Sequence, residues 1–286
     1  MSPLEAAFLG VIQGITEFLP ISSDGHLALG FMVLGEPFDL EFVVFLHFAT
    51  LLAMFAYFWK DVLSLLQSLL PANAHRKADR RLVALIAAGT AVSAVIALAL
   101  EPVIEPAAEN RIAIAAGFFL TSALLTAGEL FSKRARAAEA RTEVDVDNAG
   151  ESEVEHAASE IAWPRAIVIA VLQGIAALPG VSRSGSTTAG GMLAGLKRED
   201  AARYSFLLGI PIITLAAAKD GLDLVTGSGS LPPAPTLIAG FLGAAIAGYA
   251  AIWGLLRLVK NHTLLWFAAY TAVAGILLLV IQFNPL

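Results

Sequence analysis

Apolar residues form long runs along most of this chain, separated by short polar segments. A helix needs about 20 mostly apolar residues to cross the hydrocarbon layer of a bilayer. Runs of that length predict six transmembrane helices, at residues 42–66, 82–100, 112–131, 203–225, 237–259 and 264–281. The hydrophobic pattern therefore predicts an all-α polytopic membrane protein.

Two further apolar stretches, 3–34 and 164–196, are interrupted near the middle by polar residues, Pro and Gly. The interruptions cover residues 20–26 and 179–185. Each stretch predicts a re-entrant helical hairpin, which enters the membrane, turns at its polar loop and leaves by the same face. Non-helical backbone is tolerated at membrane depth only where protein or a water-filled cavity surrounds it. The two loops are therefore candidate interior sites.

The two interrupted stretches resemble each other. Gln13 and Gln173 are each followed by Gly and Ile, and a further glycine follows twelve residues after each, at Gly25 and Gly185. Each hairpin precedes three spans, and because three is odd the two copies would enter the membrane from opposite faces. This arrangement predicts an inverted-topology repeat, whose broken helices commonly meet near the midplane to form a site. Chance similarity between Gly- and Ala-rich segments is the alternative.

The segment between the two copies, residues 139–160, is acidic, rich in Ala and Ser, and almost free of large apolar side chains. Such a composition cannot bury enough apolar surface to fold, which indicates a solvated linker. The predicted organisation is a first repeat at 1–131, an acidic linker at 132–163 and a second repeat at 164–286.

Composition and charge narrow the class and predict an orientation. Apolar residues make up 57% of the chain and charged residues 15%, against about 45–50% and 25% in soluble domains. The net charge of −6 argues against a nucleic-acid partner, and the absence of cysteine excludes disulfides and thiolate metal sites. With the N-terminus outside, 15 of the 18 Lys and Arg residues fall on the cytoplasmic side. We therefore expect both termini outside and the acidic linker in the cytoplasm.

Polar and ionisable residues concentrate at the two predicted turns. Gln13 and Glu17 are spaced i, i+4 and share one helix face. The first turn adds Ser22, Ser23, Asp24 and His26, and the second contributes Ser182, Arg183, Ser184, Gly185, Ser186 and Thr187. A helix start with free N–H groups, hydroxyls and an arginine is typical of an anion site, and carboxylate, imidazole and hydroxyl groups can supply acid–base and nucleophilic chemistry. Together they predict a buried site that binds a phosphate-bearing molecule and can break its bond.

Structural roles are open for several of these residues. Ser22 and Ser23 could cap the returning helix, and His26 could be a loop histidine with satisfied hydrogen bonds. Arg183 could form a structural ion pair with Glu17 or Asp24. The joint placement of these groups on two turns that are predicted to meet favours function.

Three other features lie in the predicted spans. His47 is interpreted as a packing or hydrogen-bonding residue, and Glu129 as a residue near a cytoplasmic helix end. Gly240, Ala244 and Gly248 place a small residue at every fourth position, which predicts close helix packing within one chain or between two.

Three segments carry a family resemblance. Residues 13–26, QGITEFLPISSDGH, closely resemble the first signature of the undecaprenyl-diphosphatase (bacitracin-resistance) family, and residues 179–185, PGVSRSG, resemble the second. Residues 204–211, YSFLLGIP, are similar to the family segment that follows. The resemblance implies an integral membrane phosphatase that converts C55 polyprenyl diphosphate to the monophosphate carrier lipid and inorganic phosphate. It also implies action at the outer membrane face, as a homodimer.

Carried over by position, the resemblance points to Glu17, Ser23, His26 and Arg183 as the catalytic residues. Position 13 is Glu or Gln in the family, and Gln13 holds a divalent cation more weakly than a carboxylate would. Asp24 could compensate in part, so Glu17 and Asp24 are the candidate ligands for Mg²⁺ or Ca²⁺.

The mechanistic hypothesis assigns a role to each group. Arg183 and backbone N–H groups stabilise the transferred phosphoryl oxygens, while Ser23 attacks phosphorus or positions a water. His26 exchanges the proton, and Glu17 holds the metal or orients His26. A phospho-histidine route through His26 stays open. A transporter or flippase of the lipid carrier is the alternative, because inverted repeats with broken helices are frequent in transporters.

Overall fold

The computed structural model describes residues 1–73, 76–108, 110–139, 161–226 and 232–283. Within these ranges it consists of eleven α-helices and one 3₁₀ turn, without β-strands. In chain order the elements are α1 (Pro3–Phe18), α2 (Ser23–Leu34), α3 (Leu40–Tyr57), α4 (Trp59–Ser68), the 3₁₀ turn (Pro71–Asn73), α5 (Lys77–Ala108), α6 (Arg111–Glu139), α7 (Trp163–Ile175), α8 (Arg183–Leu193), α9 (Arg198–Thr226), α10 (Ala234–Asn261) and α11 (Leu265–Phe283). The predicted all-α class is confirmed.

Helix boundaries in the first part of the chain follow from local capping chemistry. Ser2 and Glu5 form a capping box at the start of α1, in which the Ser2 amide donates to the Glu5 carboxylate at 2.6 Å. Helix α2 ends at Gly35, whose φ of 69° is a left-handed conformation that glycine adopts without a steric penalty. Asp39 starts α3 by accepting from the Phe42 amide at 2.9 Å.

By length and composition, five of the described helices can cross a membrane: α3, α5, α6, α9 and α10. The sixth predicted span lies on α11, whose apolar segment Leu265–Val280 is shorter. The protein is therefore a multi-pass membrane protein, and five of the six predicted spans coincide with single helices.

The first predicted span, 42–66, is too long. Helix α3 ends at Tyr57, and the chain turns at Phe58 before α4 begins. Asp61 of α4 pairs with Arg203 of α9 at 2.6 Å, and the Arg203 guanidinium lies over the Phe58 ring. This tertiary contact redirects the chain where the apolar run by itself predicts a continuous helix.

Each of the two broken hairpins packs against a helix from the other half of the chain. Helices α1 and α2 pack against each other, as do α7 and α8. Helix α1 also packs along α10 of the second half, while α7 packs along α5 of the first half. The breaks fall where the polar turns predict them, and the inverted topology and the re-entrant path stay predictions.

The small-residue stripe of α10 is covered within the chain. Gly10 and Gly14 of α1 face Gly240, Ala244 and Gly248, and a Cβ built on Gly14 would lie 2.5 Å from the Ala244 carbonyl oxygen. The two backbones therefore approach too closely for any side chain at position 14. The small-residue stripe of α10 therefore packs against helices of the same chain.

Aromatic packing fixes the end of α1 that carries Glu17. Phe18 meets Phe206 of α9 edge to face, with ring centroids 5.8 Å apart. Phe206 in turn lies 5.9 Å from Phe58, at the end of α3. All three rings are fully buried, so the C-terminal end of α1 is held against α3 and α9.

The predicted linker begins too early. Helix α6 continues to Glu139, so residues 132–139 are helical rather than part of a linker at 132–163. At the other end, Trp163 already belongs to α7. Residues 140–160 lie outside the described part of the chain.

Candidate active site

The first turn, between α1 and α2, holds a serine in an unusual backbone conformation. Ser22 has φ 70° and is the sole non-glycine residue with positive φ in the described ranges. Such conformations cost about 1–3 kcal/mol and cluster at functional sites. The Ser22 side chain is buried and does not cap α2, so the capping interpretation of Ser22 is wrong.

The second turn, between α7 and α8, is braced by α6. The Ser182 hydroxyl caps α8 by accepting from the Gly185 amide at 3.1 Å, and the Ser182 amide donates to Thr121 Oγ1 at 2.9 Å. A Cβ built on Gly117 would lie 2.6 Å from the carbonyl carbon of Gly180. Helix α6 can approach this turn because position 117 lacks a side chain.

The two turns touch each other, although they are far apart in sequence. Ser184 Oγ donates to the Leu19 carbonyl at 3.1 Å. Arg183 Nη2 donates to Glu17 Oε1 at 2.8 Å, an ion pair in which both side chains are mostly buried. A Cβ on Gly185 would lie 3.2 Å from Pro20 Cβ. One polar cluster therefore combines groups from both halves of the chain.

Glu17 is the centre of this cluster. While Oε1 accepts from Arg183, Oε2 accepts from Ser23 Oγ at 2.8 Å and from Gln13 Nε2 at 3.2 Å. Nε2 of His47, from α3, lies 3.5 Å from the same Oε2. A buried carboxylate with donors on both oxygens orients those donors firmly, so Glu17 sets the positions of Arg183 and Ser23.

His26 lies beside this cluster without a bond to its centre. His26 Nδ1 is 2.6 Å from the Ser22 carbonyl oxygen, and Nε2 is 2.7 Å from the Tyr270 hydroxyl. Because a carbonyl oxygen only accepts, Nδ1 carries the proton, and in the neutral ring Nε2 accepts from Tyr270. Among the described side chains, Glu17 makes no hydrogen bond to His26, and the role of Glu17 in holding a metal or orienting His26 stays a prediction.

The remaining predicted binding residues divide into two groups. Ser182, Ser184 and Thr187 are engaged with protein: Thr187 Oγ1 donates to the Arg183 carbonyl at 2.8 Å, and the two serine hydroxyls lie 3.2 Å apart. Ser186 Oγ, by contrast, is fully buried and has no hydrogen-bond partner in the described chain. The first group builds the turn, and Ser186 has hydrogen-bonding capacity left.

Several buried polar atoms, on side chains bonded to Glu17 or in and next to the two turns, lack a partner among the residues that the structure describes. They are Gln13 Oε1, Ser22 Oγ, Arg183 Nη1 and Ser186 Oγ. Each such group costs about 1–3 kcal/mol of desolvation, and native proteins contain few of them. Four such atoms, two of them on side chains bonded to Glu17, indicate a site that a polar ligand completes. Three of the four can donate, which favours an anion.

Candidate metal ligands are present in part. The structure contains no group of three His, Asp or Glu side chains placed to hold a metal ion, as far as its residues are described. Asp24 is mostly exposed and lies 3.8 Å from His47 Nε2. Mg²⁺ and Ca²⁺ prefer oxygen ligands. The oxygen donors that this site offers are Gln13 Oε1, which has no partner in the described chain, and the carboxylates of Asp24 and Glu17.

Two contacts of this site were missed by the sequence analysis. His47 is interpreted from the sequence as a packing or hydrogen-bonding residue, and its Nδ1 does lie 2.9 Å from the Val43 carbonyl oxygen, but its approach to Glu17 is not predicted. An ionisable side chain within an apolar span is the signal that points to such a contact. Tyr270 carried no signal, because a tyrosine in the last predicted span is common at membrane interfaces. Both residues come from helices outside the hairpins.

Comparison with known proteins places these turns in a family. The family model for "Bacitracin resistance protein BacA" matches residues 6–277. The chain belongs to this family. Undecaprenyl-diphosphatase of Methanosphaera stadtmanae is 35% identical over 98% of both chains. The protein of the same name from Trichlorobacter lovleyi is 38% identical over 96% of both. The predicted family is confirmed, and the matched residues include both turns.

Proposed function

We propose that this member of the bacitracin resistance family is an integral membrane phosphatase that hydrolyses undecaprenyl diphosphate to the monophosphate carrier lipid and inorganic phosphate. The observation that carries the proposal is that the Arg183 guanidinium has one terminal nitrogen bonded to protein and the other without a partner in the described chain. Arg183 gives Nη2 to Glu17, whereas Nη1 is buried and unpartnered within the described chain. A guanidinium edge of this kind fits phosphoryl oxygens. The names of the relatives support the same substrate.

Arg183 and the free hydroxyls would bind the terminal phosphoryl group. Arg183 Nη1, Ser22 Oγ and Ser186 Oγ are three buried donors, in or next to the two turns, without a partner in the described residues. Donors that are fixed before the reaction stabilise developing charge without reorganisation. The long apolar tail would remain in lipid, so the site would open sideways between helices.

Ser23 is the nucleophile that the geometry favours. Its hydroxyl donates to Glu17 at 2.8 Å, so the carboxylate can take the proton as Ser23 Oγ attacks the terminal phosphorus. The bond from phosphorus to the bridging oxygen breaks, and the lipid monophosphate leaves. Water then hydrolyses the phosphoserine, and the proton returns from Glu17 to Ser23 Oγ. His26 is less suited to attack because both of its ring nitrogens are engaged.

A divalent cation, Mg²⁺ or Ca²⁺, belongs to the proposal. Gln13, Glu17 and Asp24 would hold it together with substrate oxygens, and Gln13 Oε1 is buried without a partner in the described chain. When bound, the ion would neutralise charge on the diphosphate. The homodimer and the outward-facing termini also stay predictions, which the mass of the detergent-solubilised protein and the labelling of single introduced cysteines would test.

Phosphate release tests the proposed function. The purified full-length protein in detergent should release one phosphate per undecaprenyl diphosphate, since hydrolysis needs no second compartment. A protein that moves the lipid across liposomes without releasing phosphate would instead be a transporter. With substrate labelled on its terminal phosphate, quenching in SDS at neutral pH, where phosphoserine and phosphohistidine both survive, should trap label on Ser23. No label would favour direct attack by water, and label on His26 would contradict the serine route.

A further inference from the structure

The third family-like segment, residues 204–211, lies on α9 and backs the second turn. Ser205 Oγ lies 2.5 Å from Thr187 Oγ1 of α8, and it donates to the Ser184 carbonyl at 3.4 Å. Gly209 follows Ser205 by one helical turn and therefore faces the same way. This face of α9 meets the start of α8, where Arg183 lies.

Gly209 leaves the space that the Arg183 guanidinium occupies. A Cβ built on Gly209 would lie 3.0 Å from Arg183 Cζ and 3.6 Å from Nη2, and it would overlap Nη1 outright. The nearest atom is thus the same nitrogen that lacks a partner in the described chain. The flat guanidinium lies directly against the backbone of α9 at this position.

The guanidinium has little freedom to move away from an added methyl group. Nη2 is held by Glu17 at 2.8 Å, and the Arg183 side chain is 15% exposed. A methyl group at position 209 would therefore rotate Nη1 away from its present direction or break the bond to Glu17. In either case the donors for the phosphoryl group would be displaced.

We propose that Gly209 is a positioning residue, which sets the direction of Arg183 Nη1 toward the transferred phosphoryl group. The inference rests on the proposed function. A purely conformational role is the competing explanation, because Pro211 lacks an amide hydrogen and weakens the helix at this point. The two explanations differ in whether the effect of a substitution at 209 depends on Arg183.

Gly209→Ala and Gly221→Ala are the matched pair for the first test. Both glycines lie on α9, but a Cβ on Gly221 would meet no atom within 4 Å. We expect kcat for phosphate release to fall by about 10- to 100-fold in Gly209→Ala, because a small misplacement of a catalytic group has effects of this size. KM should change by less than about threefold, and Gly221→Ala should match wild type. Equal activity of the two variants would overturn the proposal.

A double-mutant cycle separates positioning from a general helix effect. In an Arg183→Lys background, Gly209→Ala should lower kcat by less than about twofold, since a positioning residue has nothing left to position. The second cycle measures Tm: Gly209→Ala should lower it in wild type but not beside Arg183→Ala, which removes the overlap. The Tm cycle needs no activity, so it still tests the contact if phosphate release fails. Additive effects in both cycles would contradict the inference.

Discussion

Two buried Glu–Arg pairs join distant parts of this chain, and they differ in how completely they are hydrogen-bonded. Glu17 and Arg183 connect the two turns, with one hydrogen bond of 2.8 Å. Glu129 of α6 and Arg198 at the start of α9 form a bidentate pair, with Nε at 2.6 Å and Nη2 at 2.7 Å from the two carboxylate oxygens. Glu129 Oε1 also accepts from the Leu264 amide at 2.8 Å. The second pair is the more completely bonded.

The two pairs show how a structural ion pair can be separated from a binding site in this protein. Both carboxylates are almost fully buried, so burial alone does not distinguish them. What differs is the remaining hydrogen-bonding capacity: two side chains bonded to Glu17, Gln13 and Arg183, each keep a buried atom without a described partner, whereas no such atom belongs to Glu129 or Arg198. The Glu129 pair therefore fastens helices together, while the Glu17 pair leaves donors for a ligand.

The largest expected effect is on stability, at the Glu129–Arg198 pair. Glu129→Ala leaves Arg198 buried without its counter-charge, and removing one partner of such a pair costs about 3–5 kcal/mol. We expect the free energy of unfolding, measured in mixed detergent and SDS micelles, to fall by about that amount. The activity of the folded fraction should stay within about threefold of wild type.

Glu101→Ala is the control for this prediction. Glu101 pairs with Lys219 at 3.0 Å, but both side chains are 52% exposed, so the loss should not exceed about 1 kcal/mol. Similar losses for Glu101→Ala and Glu129→Ala would show that the two kinds of pair contribute alike.

The next largest expected effect is on activity, at the Glu17–Arg183 pair. Arg183→Lys keeps a charge beside Glu17 but loses the second nitrogen of the fork. Removing one preorganised donor of this kind costs about 10²–10³-fold in kcat. Phosphate release should fall by that factor with little change in stability. Arg198→Lys is the matched control and should keep its activity, so near-normal turnover by Arg183→Lys would remove Arg183 from the mechanism.

The sequence predicts those features of the fold and the site that depend on the composition of individual segments. The spans at α5, α6, α9 and α10 were predicted because a long apolar run needs only its length to be recognised. The meeting of Glu17 and Arg183 was foreseen because ionisable groups in an apolar hairpin must find partners. The first prediction used information contained within a single segment, whereas the second compared two segments that resemble each other.

The contacts that depend on helix rotation were not predictable. Helix α3 is apolar on most of its faces, so no hydrophobic stripe indicates that His47 points to Glu17. The turn at Phe58 likewise depends on Asp61 meeting Arg203, which lies in the other half of the chain. Such contacts are fixed by tertiary packing between helices of different halves.

The smallest expected effect is on activity, at His26, which belongs to neither ion pair. Tyr270→Phe removes the hydroxyl that donates to His26 Nε2 at 2.7 Å, a bond that contributes about 0.5–1.5 kcal/mol. If His26 only supports the first turn, kcat should fall by about 2- to 10-fold, because the ring keeps its bond to Ser22 but loses one restraint. Tyr249→Phe, a change at an equally exposed tyrosine on α10, should have no effect. If His26 were instead the nucleophile, freeing Nε2 would raise the rate of phosphoryl transfer. A faster Tyr270→Phe variant would therefore overturn the serine mechanism and place the reacting atom on the imidazole.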